Sequence, residues 1–372
     1  MGVELWLLLL VSFATVAVMI AFFVLIFLYL STNPYPDIER ELTERVFYDP
    51  RKSEYEKFPF GLTHRPEVEL SVIVPAYNEA QRLPIMMEEA LSYLTSRTVS
   101  QPKFSFEIII VDDGSVAISY SEKYTSNVVR VLKLARNRGK GAAVRTGMLS
   151  ARGKFLLFAD ADGATRFRDI EKLEKQMAFM IASKWDGRMA VICGSRAHLQ
   201  AEATAKRNPL RNLLMYGFHF AVWLLCVRGV RDTQCGFKLF SRRVARLLFM
   251  NQHVERWAFD VDLLYLARHL SVEICEVPVT WHEVDGMVKL ALFIPSPRIG
   301  RRARKSHNLS KAVFVSVTWN SLQSRPRVNL LPISGSKITP IFSWIQMAKD
   351  LLLIRLRYGL GAWKIEQSHR LE

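Results

Sequence analysis

Residues 155–163 read Phe-Leu-Leu-Phe-Ala-Asp-Ala-Asp-Gly, a short apolar run that ends in two carboxylates. A run of this length followed by a turn is typical of a buried β-strand. In open sheets covered by helices, ligands bind at the carboxyl ends of the strands. Asp160 and Asp162 therefore lie where a strand would present them to a ligand, although an isolated Asp-x-Asp is more often a solvated turn.

Similar apolar runs recur on both sides of this one, and segments with helical apolar spacing separate them. The predicted strands are Leu70–Pro75, Phe106–Val111, Val128–Leu134, Phe155–Phe158 and Ala190–Cys193. The predicted helices are Arg82–Leu94, Gly141–Ser150 and Ile170–Ile181. This alternation predicts an α/β fold with a doubly wound, mostly parallel sheet.

Two further strand ends carry polar side chains. The run 72–79 places Pro75, Tyr77 and Glu79 at the end of one strand, and Asp112-Asp113 follows another. A carboxylate there could accept a hydrogen bond from a base or ribose, as in dinucleotide folds. Alternatively, Asp-Asp-Gly-Ser is a turn and helix cap. Three such ends in one sheet favour a binding site.

The segment 137–141, Asn-Arg-Gly-Lys-Gly, leads into a predicted helix. Free backbone N–H groups at a helix start, together with Lys140, could bind an anion. The segment lacks the Walker pattern, and Val144 stands where the dinucleotide fingerprint has its third glycine. For Asp160 and Asp162, oxygen ligands of this kind suit Mg²⁺ or Mn²⁺, with the metal acting as a Lewis acid on a departing diphosphate.

The first 32 residues are predicted to be a membrane anchor. Leu5 to Leu30 contains no charged residue and exceeds the roughly 20 residues that a spanning helix needs. A cleaved signal peptide would have a shorter apolar core and a basic start, so an uncleaved anchor is favoured. Near the other end, 341–356 is too short to span and suits either an amphipathic helix at a membrane surface or a helix packed on the domain.

The net charge of +16 would suit a phosphate-rich partner. Residues 287–335 contain nine Lys or Arg and no acidic residue, so removing them leaves +7. We interpret this segment as a basic, disordered insertion that is either a membrane patch or, as we favour, a nonstandard transcript or gene-model error. A membrane-tethered nucleic-acid-binding protein would also explain the charge, but an aromatic-rich basic motif is missing, and no nucleic acid is expected as a partner.

Four ordered motifs together resemble the inverting family 2 glycosyltransferases, which have a GT-A fold: 71–79 Ser-Val-Ile-Val-Pro-Ala-Tyr-Asn-Glu, 111–115 Val-Asp-Asp-Gly-Ser, 137–141 Asn-Arg-Gly-Lys-Gly and 159–163 Ala-Asp-Ala-Asp-Gly. Further motifs resemble its eukaryotic dolichyl-phosphate β-glucosyltransferase branch: 194–198 Gly-Ser-Arg-Ala-His, 231–240 Arg-Asp-Thr-Gln-Cys-Gly-Phe-Lys-Leu-Phe and 256–260 Arg-Trp-Ala-Phe-Asp.

This resemblance implies transfer of glucose from UDP-glucose to dolichyl phosphate, with inversion, by a single-pass protein of the endoplasmic reticulum membrane whose catalytic domain faces the cytosol. It implies that Asp113 and the segment 75–79 hold uridine. Asp160 and Asp162 would hold the metal and the diphosphate. Arg196 and Arg211 match positions near the acceptor phosphate. A mannosyl enzyme that uses GDP-mannose is the nearest alternative.

A lipid phosphate is already anionic at pH 7, so its attack needs positioning and charge screening more than a general base. A sugar hydroxyl would instead need a carboxylate to accept its proton, with Asp232, Asp260 or Asp262 as candidates. We keep Asp232 and Asp260 as candidate site residues, with buried caps or ion pairs as the alternative. The predicted organisation is an anchor (1–32), a linker (33–68), a catalytic domain (69–286), the insertion (287–335) and a C-terminal membrane-interface helix (336–372).

Overall fold

A computed structural model describes residues 2–112, 124–183, 189–199, 209–282 and 340–366. Asp113 and the predicted insertion lie outside these residues, and the side chain of Arg211 is likewise outside the description.

The described residues form strands and helices that alternate along most of the chain. The helices are α1 (Gly2–Leu30), α2 (Leu83–Ser100), α3 (Lys140–Leu149), α4 (Ile170–Ser183), α5 (Pro209–Leu225), α6 (Arg242–Asn251), α7 (Phe259–His269) and α8 (Pro340–Gly359). The strands are β1 (Val46–Asp49), β2 (Glu54–Lys57), β3 (Val68–Ala76), β4 (Phe106–Asp112), β5 (Val129–Lys133), β6 (Gly153–Ala159), β7 (Ala190–Ser195), β8 (Phe237–Ser241) and β9 (Glu273–Pro278).

The main sheet has the order β5-β4-β3-β6-β8-β7-β9. Strands β5, β4, β3 and β6 run parallel, as do β7 and β9, whereas β8 is antiparallel to both of its neighbours. The predicted α/β class with a mostly parallel sheet is confirmed. Because β8 is reversed, its first residues lie beside the last residues of β6, with Phe237 opposite Ala159.

The central strands are buried on both faces. Ile108, Ile109, Ile110 and Val111 of β4 are each 0% exposed. Successive side chains of a strand point to opposite faces, so the run supplies two separate cores. One face packs with α2 and α4, and the other packs with α3, α6, α7 and α8. Continuous β-branched runs of this kind are typical of a sheet covered on both sides.

The segment predicted as a linker, 33–68, contains the antiparallel hairpin β1–β2. Phe47 and Phe58 from this hairpin region belong to the domain core, where their rings pack together with 4.8 Å between centres. The Arg130 guanidinium lies 5.2 and 4.9 Å from the two ring centres. The segment 33–68 is therefore part of the folded domain and not only a connection from α1 to it.

Helix α1 contains one segment, Trp6–Leu30, that is long and apolar enough to cross a membrane. Helix α8 buries Leu351 and Ile354 in the domain core. The same helix leaves Ile345 60% and Leu352 48% exposed. It is therefore packed on the domain, as one interpretation of the sequence expected, and it also presents an apolar surface.

Candidate active site

The carboxyl ends of β3, β4 and β6 meet at one edge of the sheet because these strands are parallel. Asp160 and Asp162 follow β6 at this edge. A small depression here is lined by Met86, Glu89, Ala159, Asp160, Asp162, Thr165, Phe167 and Phe237.

Lys140, the first residue of α3, reaches Asp160, with 2.6 Å between Nζ and Oδ1. The two side chains remain 23% and 30% exposed. Burial by itself would lower the pKa of Lys140, but the carboxylates of Asp160 and Asp260 outweigh it and raise that pKa. The lysine is therefore a cation that lies against a carboxylate and can still reach an incoming anion.

Asp162 Oδ1 accepts a hydrogen bond of 3.0 Å from the backbone N–H of Ala164. Burial, and next the neighbouring charge of Asp160, raises the pKa of Asp162. A carboxylate whose ionised form is disfavoured by burial and by a neighbouring carboxylate is stabilised by a cation that binds close to both. Among the described residues no group of three or more His, Cys, Asp or Glu forms a metal cluster. The pair thus fits an ion such as Mg²⁺ or Mn²⁺, which commonly binds through one or two carboxylates plus substrate phosphates.

Gly236 allows Asp160 to occupy its position. The Asp160 backbone N–H donates to the Gly236 carbonyl at 3.0 Å. A β-carbon on residue 236 would overlap both carboxylate oxygens of Asp160. Only glycine fits at this point of the β8 entry, because any side chain would displace the carboxylate.

A second ion pair lies beneath the first. Lys238 Nζ is 2.6 Å from Asp260 Oδ1 and donates at 2.6 Å to the carbonyl of Cys235. The Lys238 and Asp260 side chains are 1% and 5% exposed. Burial raises the pKa of Asp260 although Lys238 and Lys140 oppose the shift. Asp260, a candidate general base, is thus enclosed and held by a lysine that the sequence analysis did not single out.

Arg196, after β7, holds the other candidate base. Its Nε and Nη2 donate to the two oxygens of Asp232 at 2.7 and 2.9 Å, and its backbone N–H donates at 2.9 Å. Burial would raise the pKa of Asp232, but these bonds outweigh it and lower that pKa. Glu276 in turn accepts the backbone N–H groups of Arg231 and Asp232. The arginine guanidinium lies 5.6 Å from the ring centre of Trp281.

The predicted donor side is described in part. Tyr77 is 41% exposed after β3, and Glu79 forms a two-bond ion pair with Arg82 at 2.7 and 2.8 Å. Pro75 pairs in register with Val111, and Asp112 ends β4 with 3% exposure. Arg211 lies on α5. The structure therefore places Pro75, Tyr77, Glu79 and Asp112 at the ends of two adjacent strands, and β6 carries Asp160 beside them.

The model of Glycosyl transferase family 2 matches residues 71–249. Dolichyl-phosphate beta-glucosyltransferase of Homo sapiens is 45% identical over 342 residues, covering 90% of this chain and 89% of the relative. The enzyme of the same name from Drosophila melanogaster is 46% identical over 349 residues, covering 92% and 90%. The chain belongs to the dolichyl-phosphate β-glucosyltransferase family.

A solved structure of glucosyl-3-phosphoglycerate synthase from Mycobacterium tuberculosis in complex with UDP is 16% identical, with a TM-score of 0.39. The match covers 58% of this chain and 72% of the other.

Two features of this family member's site were missed in the sequence. Lys238 lies inside an apolar strand, and a charge there is a signal for a buried partner, which is Asp260. Trp281 forms an isolated antiparallel bridge with Thr165, three residues after Asp162. The sequence carries no periodicity that would reveal this bridge, because it joins two loops that lie 116 positions apart.

Proposed function

We propose that this protein transfers glucose from UDP-glucose to dolichyl phosphate with inversion, giving dolichyl β-D-glucosyl phosphate for N-glycan precursor assembly. The observation that carries the proposal is that Asp160, Asp162 and Lys140 lie together at one edge of the sheet in a member of this family. Lys140 Nζ is 2.6 Å from Asp160 Oδ1. Such an arrangement suits a nucleoside diphosphate leaving group better than a neutral ligand.

Asp160 and Asp162 would hold Mg²⁺ or Mn²⁺ against the donor diphosphate. When bound, such an ion supplies Lewis-acid stabilisation of the charge that develops on the leaving diphosphate. Lys140 would then donate to a diphosphate oxygen, since Asp160 would no longer need it as a counter-ion. Pro75, Tyr77, Glu79, Asp112 and Asp113 would surround the uridine, and Arg82 would keep Glu79 oriented.

The acceptor phosphate needs no dedicated base, because it is already ionised. Asp232 has both oxygens engaged by Arg196, and Asp260 is enclosed with Lys238, so both carboxylates act through these cations rather than on a proton. Asp232 occupies Nε and Nη2 of Arg196, so Nη1 is the nitrogen that would donate to the acceptor phosphate. Arg211 would supply a second cation from α5.

A lipid acceptor requires the site to lie near a bilayer. Helices α5 and α8 pack together through Phe218 and Trp344, whose ring centres are 6.4 Å apart. Large apolar side chains of both helices stay exposed by about half or more: Tyr216, Phe220, Trp223, Leu224, Ile345 and Leu352. The Arg228 guanidinium lies 5.0 Å from the ring centre of Trp223, as suits an interface of lipid and water. We infer that this face contacts the cytosolic leaflet of the endoplasmic reticulum, with α1 as the anchor.

The assay uses membranes that contain the full chain, radiolabelled UDP-glucose, dolichyl phosphate and Mg²⁺ or Mn²⁺. Labelled dolichyl glucosyl phosphate should form, and chelation with EDTA should stop its formation. Parallel reactions receive GDP-mannose or UDP-GlcNAc. Label transfer from GDP-mannose alone would replace the proposal with the mannosyl alternative.

Topology has a separate probe. Asn308-Leu309-Ser310 is the chain's one Asn-x-Ser/Thr sequence in which x is not proline. A cytosolic domain leaves it unglycosylated, whereas a glycan there, removed by endoglycosidase H and absent from an Asn308→Gln variant, would contradict the proposed orientation.

A further inference from the structure

The loop between α6 and α7, residues 252–258, packs against the start of α3, where Lys140 lies. The backbone N–H of Ala142 donates to the Glu255 carbonyl at 3.0 Å, and Gln252 Nε2 donates to the Gly141 carbonyl at 3.1 Å. A β-carbon on Gly141 would approach the Val254 and Glu255 carbonyls to 2.8 Å. The α6–α7 loop and the first residues of α3 are therefore in direct backbone contact, and a shift of one would move the other.

Asp262, on α7, holds the α6–α7 loop in place through its carboxylate. Its Oδ2 accepts the backbone N–H groups of His253 and Val254 at 2.8 and 2.9 Å, and the residue is 0% exposed. Gln252, also 0% exposed, bonds the Val254 carbonyl at 2.7 Å with the same Nε2. Its Oε1 has no hydrogen-bond partner among the described residues. An unsatisfied buried oxygen costs stability, so this amide orientation is retained for the two bonds that Nε2 makes.

Segments from both ends of the chain reach this same loop. The Tyr358 hydroxyl of α8 lies 3.0 Å from Asp262 Oδ1 and 3.1 Å from His253 Nδ1. The Trp363 ring stacks on His253 with 4.4 Å between ring centres. The Pro34 carbonyl, four residues beyond α1, lies 3.2 Å from His253 Nε2 and accepts the Lys364 backbone N–H at 2.8 Å.

We propose that Gln252, Asp262 and Tyr358 are positioning residues for the sugar-nucleotide donor. They hold the α6–α7 loop against residues 139–141, so that Lys140 points to Asp160 and to the donor diphosphate. The end of the C-terminal helix thereby contributes to UDP-sugar binding without touching the nucleotide. The inference rests on the proposed function, in which Lys140 binds that diphosphate.

The test uses the full chain in detergent micelles and measures three quantities for each variant. These are the Kd of UDP by titration calorimetry with Mn²⁺ present, the KM values for UDP-glucose and dolichyl phosphate, and the thermal unfolding midpoint. Tyr358→Phe removes one hydroxyl and keeps the ring. Gln252→Leu removes the two hydrogen bonds that Nε2 donates to the Gly141 and Val254 carbonyls. Tyr265→Phe is the matched control, because its ring stacks on Tyr358 with 5.0 Å between centres.

We expect Tyr358→Phe and Gln252→Leu each to raise the UDP Kd and the UDP-glucose KM about fivefold, because a loosened α6–α7 loop no longer fixes Lys140. The KM for dolichyl phosphate and the Tyr265→Phe control should stay within about twofold of the parent. The double variant should show less than the product of the single effects, since both act on one loop. Asp262→Asn, which keeps an acceptor for the two N–H groups, should bind UDP better than Asp262→Leu.

A lower unfolding midpoint with unchanged UDP Kd in Tyr358→Phe would overturn the inference and leave these residues a stabilising role only. The variant Lys140→Met distinguishes failure of the positioning role from failure of the proposed donor-binding role of Lys140. If it weakens UDP binding and the loop variants do not, the positioning role fails and the donor role stands. If Lys140→Met also leaves UDP binding unchanged, the proposed donor role of Lys140 fails together with the inference.

Discussion

Glu107 at the amino edge of the sheet and Asp160 at the carboxyl edge differ in their exposure and in the number of their partners. At the amino edge, Glu107 is 0% exposed and meets Arg130, Arg152 and Ser71. Its oxygens also accept the Arg152 backbone N–H at 2.7 Å. At the carboxyl edge, Asp160 is partly open, and Lys140 is the cation it meets.

The difference distinguishes an enclosed ion cluster, Glu107 with its arginines, from the partly open pair of Asp160 and Lys140 that we propose binds the donor. Charges that are enclosed and have many hydrogen bonds exchange little with solvent or ligand, whereas charges that are partly open can change partners when a substrate arrives. Burial and the number of partners, rather than the presence of a carboxylate, distinguish the two edges. Variants at each edge should therefore fail in different assays.

The largest effect is expected at the open edge. Asp162→Ala should lower kcat on the order of 10³-fold, because several kcal/mol of charge stabilisation in the transition state would be lost. The thermal unfolding midpoint should change little, since Asp162 makes one described hydrogen bond, to the Ala164 N–H. The measurement is glucose transfer per folded molecule in detergent. Retention of parental kcat would rule out the metal role of Asp162.

Glu107→Gln should show the reverse behaviour at the amino edge. It leaves Arg130 and Arg152 without their shared carboxylate, and breaking a buried pair of this kind costs about 3–5 kcal/mol. Chemical denaturation should report the loss, while kcat for the molecules that remain folded stays at the parental value. If Glu107→Gln had parental stability but a lowered kcat, the proposed difference between the two edges would be wrong.

Lys140→Met sharpens the comparison with a smaller effect. The substitution removes the cation at the open edge and should raise the UDP-glucose KM about tenfold, as expected for the loss of one charged hydrogen bond. Stability should not fall greatly, because the pair remains partly solvated. Lys154→Met provides the control, since that lysine forms a surface pair with Glu69 at 2.8 Å. Equal KM values for both variants would contradict the role of Lys140.

The smallest effect concerns Asp262, which is buried like Glu107 but is met by two N–H groups and a phenol instead of guanidinium groups. Burial raises the pKa of Asp262 to about 6. A folded-state pKa above the unfolded value of about 4 stabilises the fold below pH 4, and this stabilisation is lost as pH rises through 6. The unfolding midpoint of the parent, relative to that of Asp262→Asn, should therefore rise by a few degrees when the pH is lowered from 7.5 to 5. A difference that does not vary with pH would refute the shifted pKa.

The sequence was sufficient to predict the parallel half of the sheet. Runs such as 108–111 are apolar at every position, and a strand buried on both faces has that pattern. The strands β8 and β9 were not predicted. Lys238 interrupts the apolar pattern of β8, and the charges of Glu273 and Glu276 interrupt that of β9. Their pairing depends on tertiary contacts, namely Asp260 for the lysine and the backbone of residues 231–232 for Glu276.

The positions of the candidate site residues in the fold could be predicted where a simple pattern marks them, as for Asp160 and Asp162 after a strand and Lys140 at a helix start. The roles of Asp232 and Asp260 were left open because a sequence does not reveal which cation neutralises a carboxylate. Arg196 and Lys238 do so here, across 36 and 22 positions. The segment 33–68 was predicted as a linker because its composition is mostly polar and masks two phenylalanines that pack against each other and contact Arg130.

Gly236 gives a simple criterion for reading gene duplicates of this chain. A copy that has lost its activity is free to accept alanine at position 236, whereas a working copy is not, because the methyl group would collide with Asp160. The Asp-Ala-Asp triplet of residues 160–162 supplies the carboxylate that this methyl group would displace. One codon distant from the triplet in sequence therefore reports whether the triplet is still in use.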